Sequence, residues 1–282
     1  MISDGHTDFI TELNSFKNKE NYVKNLKQQG VKTICSAVFT TQKKLNLKQV
    51  EEYKKQIEEL KAKYRVNLLF SVEDLGFLKD EEIQKFIELN PISTTLTWNF
   101  KNQFAGGAKT NSGITKCGKR VVKKLQENNI LIDTAHLSRR AFWDFVKITT
   151  KPIYNSHSNI YALRKHNRNL TNKQIQKIVE TNGYLGLTIY DEFVAENKIT
   201  SLDIAKQFDY LIKKFGYLNF GFGTDFYGID ETHLPTDINN YLDLEINVTK
   251  HLFDMGYSSE VIECIMYKNF DNFLKRTRKK LS

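Results

Sequence analysis

The sequence has little proline, little cysteine and no long apolar run. Only three of its 282 residues are proline, while 40% are hydrophobic and 12% aromatic, which excludes a disordered or fibrous chain. No apolar run approaches the roughly 20 residues that a membrane-spanning helix needs. The first residues, MISDGHTDF, lack the basic and apolar regions of a secretory signal. We therefore expect a soluble cytoplasmic protein with no membrane partner.

The three cysteines are Cys35, Cys117 and Cys264, and they lie far apart in the sequence. Their odd number, without a signal peptide, argues against a disulfide framework. Cys35 lies inside an apolar, strand-like run, where a free cysteine usually behaves as a small buried hydrophobic residue. We therefore expect no cysteine nucleophile.

The chain carries an excess of positive charge, with 42 Lys and Arg against 33 Asp and Glu, for a formal net charge of +9. A nucleic-acid site requires these cations to cluster on one face or in one run. Here lysine is spread over nearly every predicted helix, and the one dense basic run, 275–280, is at the C-terminal end. The pattern predicts a solvated surface and no nucleic-acid partner.

Strand-like and helix-like segments alternate along the whole chain. Apolar, β-branched runs occur at about 2–9, 31–40, 66–73, 92–98, 129–136, 151–157, 183–189 and 218–225. Segments with helical spacing follow them at 15–29, around 50–60, and at 79–89, 118–128, 139–148, 172–181, 201–215 and 238–255, with more helix to about 279. Eight such pairs predict a (β/α)8 TIM barrel that forms a single domain over residues 1–282. An open nucleotide-binding sheet is disfavoured, because Gly221-Phe222-Gly223 lacks a third glycine and follows the last strand instead of the first.

Three connections are unusually long, namely 99–117, 158–171 and 226–237. Each follows a predicted strand. In a barrel of this type they lie at the C-terminal face, where such folds carry their active sites.

Metal-capable side chains collect at the ends of five predicted strands. His6 and Asp8 lie two residues apart on the first strand, so they point to the same side and can bind one ion together. Glu73 ends the third strand, where an unpaired carboxylate is unfavourable. The complete set is His6, Asp8, Glu73, His136, His157 and Asp225, whereas His166, His233 and His251 lack this placement. Three histidines and three carboxylates exceed the needs of one tetrahedral Zn²⁺ and suit two ions with a bridging carboxylate such as Glu73.

The motifs around these residues resemble the membrane dipeptidase (renal dipeptidase) family of metallopeptidases. They are Asp4-Gly5-His6-Thr7-Asp8, Val72-Glu73-Asp74, Leu96-Thr97-Trp98-Asn99, Ile132-Asp133-Thr134-Ala135-His136-Leu137-Ser138, Ser156-His157-Ser158-Asn159 and Gly223-Thr224-Asp225-Phe226. They occur in the order found in the family, from residue 4 to about 230. The resemblance implies a barrel of the amidohydrolase type and a bacterial-type, cytoplasmic member of the family.

The resemblance also implies the metal ligands. His6 and Asp8 would bind one zinc ion, His136 and His157 the other, and Glu73 would bridge the two. Other divalent ions are open alternatives to zinc. A hydroxide that bridges the ions would attack the peptide bond of a dipeptide.

Three further residues receive roles from the resemblance. Asp225 would lie beside the first ion and exchange protons with the attacking water, so it is a catalytic residue with Glu73. Arg168 matches the arginine that holds the terminal carboxylate of the substrate. Trp98 stands where some members have a histidine that supports the developing oxyanion; we group it with the substrate-binding residues, and the support of the oxyanion stays unassigned. Asp74 replaces a glycine and is expected to add a negative charge near the metals.

Other functions remain open at this stage. One is a binuclear hydrolase of the amidohydrolase superfamily that cleaves another bond, such as a lactone or an N-acyl amino acid. The bridging carboxylate at Glu73, with no lysine at a strand end to replace it, favours the dipeptidase. The other is a barrel without catalytic activity that binds peptides or nucleic acid. The sequence does not give the preferred dipeptide or the oligomeric state, and a homodimer is an open alternative.

Overall fold

Eight parallel strands close into a barrel in the computed structural model, which describes residues 1–40 and 45–278, the last of these by its backbone alone. The strands are β1 (Ile2–Thr7), β2 (Val31–Val38), β3 (Asn67–Val72), β4 (Ser93–Thr95), β5 (Leu131–Asp133), β6 (Tyr154–Asn155), β7 (Tyr184–Leu187) and β8 (Phe220–Phe222). Each strand pairs with the next one in the chain, and β8 closes the barrel by pairing Phe222 with Asp4 of β1. The (β/α)8 barrel predicted from the sequence is confirmed.

The strands are buried because both of their faces are covered. Every residue of β1 is buried, as is every residue of β2 except Lys32. The later strands are shorter than predicted: β4, β5 and β8 have three residues each and β6 has two. Beyond β5 and β8 the chain turns through His136 (φ 64°) and Asp225 (φ 66°), whose left-handed backbone cannot continue a strand.

The helices surround the barrel. They are α1 (Phe9–Glu12), α2 (Phe16–Leu26), α3 (Leu47–Tyr64), α4 (Ile83–Glu88), α5 (Lys116–Glu127), α6 (Arg139–Val146), α7 (Asn172–Glu180), α8 (Asp191–Val194), α9 (Ser201–Phe215), α10 (Tyr241–Asp254), α11 (Ser259–Glu263) and α12 (Asn269–Arg278). Many begin after a side chain that accepts a hydrogen bond from a free N–H of the first turn, as Thr115, Ser138 and Thr171 do for α5, α6 and α7. Within the described residues, no helix is long and apolar enough to cross a membrane.

The observed helices differ from the predicted ones at 79–89 and near the C-terminal end. The predicted helix 79–89 begins as a 3₁₀ turn, Asp80–Glu82, and becomes α-helical only at Ile83. The C-terminal helix is divided into α11, a π-helical turn at Cys264–Lys268, and α12. Residues 279 and 280 of the basic run, and the predicted helix end at 279, lie outside the described residues.

Helix α12 closes the end of the barrel at which the strands begin. Phe273 lies on Tyr154 of β6 with ring centroids 5.4 Å apart, and Phe270 lies on Tyr184 of β7 at 5.0 Å. Asp271 of the same helix accepts a hydrogen bond from Ser3 at the start of β1. This packing fills the floor of the barrel, so the opposite end is the one available for a site.

Candidate active site

A cavity of about 480 Å³ opens where the strands end. Its walls come from all three long connections that the sequence places at this face, through residues within 98–109, 166–168 and 226–233. A fourth segment, 190–193, was missed because it follows β7 in a connection of ordinary length. His166 and His233, which received no role from the sequence, also line the cavity.

The six candidate ligands lie together at this end of the barrel, and all are buried except Asp225, which is partly exposed. Nε2 of His6 lies 3.4 Å from Oδ2 of Asp8 and 3.7 Å from Oδ1 of Asp225. Ligand atoms of these three side chains lie within 4.8 Å of one another. This group can therefore hold one cation.

Glu73 connects this group with the other two histidines. Its Oε2 lies 3.2 Å from Nε2 of His6, and its Oε1 lies 3.1 Å from Nε2 of His136. Nε2 of His136 in turn lies 2.9 Å from Nε2 of His157. Ligand atoms of His6, Glu73 and His157 form a second group within 4.8 Å. The two oxygens of one carboxylate thus face different histidines.

The hydrogen bonds around these side chains fit bound cations. His6 Nε2, Asp8 Oδ1 and Glu73 Oε2 are buried without a hydrogen-bond partner among the described residues. The side-chain oxygen Oδ1 of Asn99 accepts a hydrogen bond from Nδ1 of His136 at 3.0 Å, which leaves the lone pair of Nε2 directed at Glu73 and His157. A histidine that binds a metal through one nitrogen and donates from the other has this arrangement. The donor set of nitrogen and carboxylate oxygen suits zinc.

The charges of the site shift its pKa values in opposite directions. Burial lowers the pKa of His136 to about 4 and that of His157 well below its usual value, so both imidazoles are neutral at pH 7, as ligands must be. Burial opposes the charged form of His6 as well, but the carboxylates of Asp8, Glu73 and Asp225 outweigh it and raise the pKa of His6 to about 10. Burial raises the pKa of Asp225 to about 8, with Asp8 and Glu73 adding to the shift. Four neighbouring acidic and basic groups with such shifts are typical of a catalytic site.

Two buried aspartates outside the ligand set fix the backbone beside it. Asp4 accepts hydrogen bonds from the N–H groups of Thr224 (2.8 Å) and His6 (3.1 Å), and so ties β1 to the residue before Asp225. Asp133 has the same role between β5 and β6. The sequence analysis missed both residues, although an aspartate two or three positions before a ligand in an apolar strand is a visible signal.

Arg168 lies in the wall of the same cavity and is buried. Its two terminal nitrogens donate to Oγ of Ser158 (3.3 Å) and to the carbonyl oxygen of His157 (3.2 Å). Its Nε is buried and has no partner among the described residues. The guanidinium is therefore fixed in orientation and keeps hydrogen-bonding capacity for an anion.

Trp98 forms an aromatic wall of the cavity. Its ring centroid lies 5.9 Å from that of His136 and 5.4 Å from that of Phe39. The neighbouring Asp74 is fixed by hydrogen bonds. Its Oδ1 accepts hydrogen bonds from the N–H of Gly76 (2.8 Å) and from Nδ2 of Asn102 (2.9 Å), so the carboxylate holds the loop that carries Trp98.

A closed (β/α)8 barrel with histidines and carboxylates gathered at the C-terminal rim has the architecture of the metal-dependent hydrolases. The model of the membrane dipeptidase family, peptidase family M19, matches residues 42–280. The chain belongs to this family, a family of metallopeptidases. The resemblance noted in the sequence is confirmed.

Curated relatives agree with this assignment. The chain is 28% identical over 207 residues to an uncharacterized protein in the pqqA 5' region of Klebsiella pneumoniae, a match that covers 69% of this chain and 75% of that protein. It is 26% identical over 205 residues to an uncharacterized dipeptidase of Schizosaccharomyces pombe, covering 69% of this chain and 49% of that protein. The chain thus spans about half the length of the yeast relative.

Solved structures share the fold at lower identity. A metallopeptidase from Rhodobacter sphaeroides, bound to a phosphinate mimic of L-Ala-D-Ala, matches with a TM-score of 0.82 and 20% identity, covering 98% of this chain and 99% of that one. An amidohydrolase from Pseudomonas aeruginosa matches with a TM-score of 0.84 and 16% identity, covering 99% and 97%. These likenesses show the (β/α)8 barrel fold over nearly the whole length of the chain.

Proposed function

We propose that this chain is a dipeptidase that works with two divalent ions, with zinc as the expected metal. The position of Glu73 carries the proposal, because its Oε1 lies 3.1 Å from His136 Nε2 and its Oε2 lies 3.2 Å from His6 Nε2. A carboxylate between two groups of nitrogen ligands is the side chain that a pair of ions shares. His6 and Asp8 would hold one ion, and His136 and His157 would hold the other. Glu73 would bind both ions, and Asp225 would lie beside the first.

The chain's own residues would complete the reaction. When bound, the two ions would supply an activated water at neutral pH and would polarise the carbonyl group of the substrate. Asp225 borders the cavity and lies 3.7 Å from His6, so its carboxylate is positioned to take a proton from the attacking water. The same carboxylate would return the proton to the amine that leaves. Trp98 would exclude water from one side of the cavity.

Arg168 is the proposed reason for the choice of dipeptides. Its guanidinium offers a fork that matches a carboxylate, and such charge-assisted bonds are roughly twice as strong as neutral ones. Arg168 lines one cavity together with four of the candidate ligands, which are Asp8, Glu73, His136 and Asp225. A carboxylate held by Arg168 would therefore fix the distance to the reacting peptide bond. A cavity of about 480 Å³ suits a small molecule. In a longer peptide the terminal carboxylate would be out of register.

The test compares L-Ala-L-Ala and L-Ala-D-Ala with their C-terminal amides after loading of the protein with zinc. We expect hydrolysis of a free dipeptide and a marked loss of kcat/KM for its amide. Arg168→Lys keeps the charge but loses the fork, so it should lower kcat/KM for the free dipeptide. Arg164→Lys is the matched control, because Arg164 lies in the same connection but pairs with Glu196 and does not line the cavity. Equal hydrolysis of acid and amide by the unaltered protein would refute carboxylate capture and favour a hydrolase of another bond.

A further inference from the structure

A second cleft adjoins the active-site cavity. It has a volume of about 380 Å³ and is lined by Ala108, Lys109, Thr110, Asn111, Arg139 and Asn167. Three of these residues, Ala108, Lys109 and Asn167, line the active-site cavity as well. The two spaces therefore border on the same three residues, which places the second beside a substrate bound in the first.

The charge of this cleft differs from that of the active-site cavity. The larger cavity is lined by carboxylates, among them Asp8, Asp225 and Glu192, as well as by cations. In the smaller cleft the two charged side chains are both cations, Lys109 and Arg139, and the remaining polar residues are neutral. The cleft thus offers a site for negative charge only.

Neither cation is neutralised by a neighbour. The guanidinium of Arg139 lies 4.1 Å from the ring centroid of Tyr161, and the ammonium of Lys109 lies 5.5 Å from that of Phe100. These aromatic rings restrain the two side chains without removing their charge. Over residues 1–40 and 45–277, neither cation has an ion-pair partner. Both charges are therefore available to a ligand.

The position of Asn167 relates the cleft to the substrate. Asn167 lines both spaces and directly precedes Arg168, the residue proposed to hold the terminal carboxylate. The side chain of the C-terminal residue branches from the carbon atom that carries this carboxylate, so it begins beside Arg168 and Asn167. Burial lowers the pKa of His166, and the positive charges of Arg168, Arg164 and Lys109 lower it further. The negative charge of Glu192 acts in the opposite direction. Positive charge therefore extends from Arg168 to Lys109.

We propose that the cleft binds an acidic side chain on the C-terminal residue of the substrate, which makes dipeptides ending in glutamate or aspartate the preferred class. The proposal rests on the dipeptidase function proposed above. Lys109 and Arg139 are the residues that determine this specificity, and Arg168 holds the other carboxylate of the same residue.

The test compares substrates that differ only in this charge. The zinc-loaded protein is assayed with Ala-Glu against Ala-Gln and with Ala-Asp against Ala-Asn, the C-terminal residue being supplied in both L and D configurations. In at least one configuration we expect kcat/KM for the acid to exceed that for the amide by about fivefold, the size of effect that one or two exposed charges such as Lys109 and Arg139 give. This ratio should fall as salt is added, because the charges are screened.

Variants then locate the effect. Arg139→Gln should bring the acid-to-amide ratio close to one, and Lys109→Gln should reduce it as well. Arg140→Gln is the matched control, since Arg140 is the next residue of the same helix, is exposed, and does not line the cleft; it should leave the ratio unchanged. Because the readout is a ratio, a general loss of activity does not imitate the effect, and Lys109→Gln serves if Arg139→Gln does not fold.

The outcomes separate this proposal from the proposed function. Hydrolysis of Ala-Ala without preference for either acid over its amide overturns the acidic specificity and leaves the dipeptidase intact. A preference that persists in both Arg139→Gln and Lys109→Gln overturns the assignment to this cleft. Failure to hydrolyse any dipeptide overturns the proposed function itself.

Discussion

Oδ1 of Asp133 accepts a hydrogen bond from the backbone N–H of Ser156 at 2.9 Å, and Ser156 immediately precedes His157. The same oxygen accepts from the N–H of Ala135, the residue before His136, at 3.0 Å. One buried carboxylate therefore fixes the backbone immediately before each of two candidate ligands, His136 and His157. Asp133 can therefore influence the positions of His136 and His157 without contacting the substrate.

Replacement of Asp133 by alanine should weaken one half of the metal site. The N–H groups of Ser156 and Ala135 would lose their acceptor, at about 1–3 kcal/mol for each buried group left unpaired. His136 and His157 would then be held less firmly, and we expect the affinity for the ion they bind to fall about tenfold or more, in line with other supporting residues of metal sites. Titration of the metal-free protein with Co²⁺, followed by its absorption spectrum, resolves the two binding steps.

The corresponding variant in the other half of the site gives the control for this prediction. Asp4→Ala removes the acceptor from the N–H groups of Thr224 and His6, so it should weaken the other binding step. Each variant is compared with the unaltered protein at a temperature where both are folded. Two unchanged binding steps in folded Asp133→Ala would contradict the role given to Asp133.

Gly228 lies directly over two carboxylates of the site. A Cβ atom at this position would come within 2.2 Å of Oδ2 of Asp8 and 2.4 Å of Oδ1 of Asp225, closer than any real contact. Gly228→Ala should therefore displace these side chains and lower the metal content of the purified protein together with its activity. Elemental analysis and the dipeptide assay measure the two effects. Gly216→Ala is the control, because nothing lies within 4 Å of that Cβ and only backbone strain at φ 80° is added, so it should lower stability and leave metal content unchanged.

Much of the site could be predicted because of one property of parallel barrels. All strands point the same way, so residues that follow different strands meet at one rim, and this brings His6, Glu73 and His157 together from distant parts of the sequence. The barrel itself follows from eight apolar runs alternating with amphipathic segments. Strand lengths were overestimated because buried residues continue past the last backbone pair, as residues 134–136 do beyond β5 and residues 156–157 do beyond β6.

The parts that could not be predicted depend on backbone geometry. His136 and Asp225 have left-handed backbone angles, φ 64° and φ 66°, which few residues other than glycine adopt and which no sequence pattern reveals. Asp74 also has such an angle, φ 60°, and the turn directs its carboxylate to the N–H of Gly76. The expectation that Asp74 adds a negative charge near the metals stays a prediction, because these neutral hydrogen-bond donors do not remove the charge of its carboxylate.

The two carboxylates proposed to be catalytic should respond differently to loss of charge. Glu73→Gln removes the charge that two cations would share, so metal content and turnover should fall together. Asp225→Asn removes a proton acceptor while the other five candidate ligands remain, so turnover should fall by roughly 10²–10⁴-fold with a smaller loss of metal. Metal content and kcat measured on the same preparations separate the two cases. Near-normal turnover of Asp225→Asn would falsify its role in proton transfer.

The metal-free protein should become less stable as the pH rises from 7 to 8.5. In the folded chain the carboxylates of Asp8, Glu73 and Asp225 outweigh burial and raise the pKa of His6 to about 10, from about 6.5 when unfolded. A raised pKa stabilises the fold fully below the unfolded value and progressively less as the pH rises toward the folded value. Asp225, whose pKa burial raises to about 8, acts in the same direction.

Bound cations should reverse this trend, because they take the place of the proton on His6. Protons compete less with the cations as the pH rises, so the cations bind more tightly. Thermal unfolding of chelator-treated protein should thus show a lower Tm at pH 8.5 than at pH 7, while the gain in Tm on adding Zn²⁺ should be larger at pH 8.5. His6→Gln removes the titrating imidazole and should reduce the pH dependence of the metal-free Tm. A metal-free Tm that rises between pH 7 and 8.5 would show that the proton on His6 does not stabilise the empty site, and that the three carboxylates are neutralised in another way.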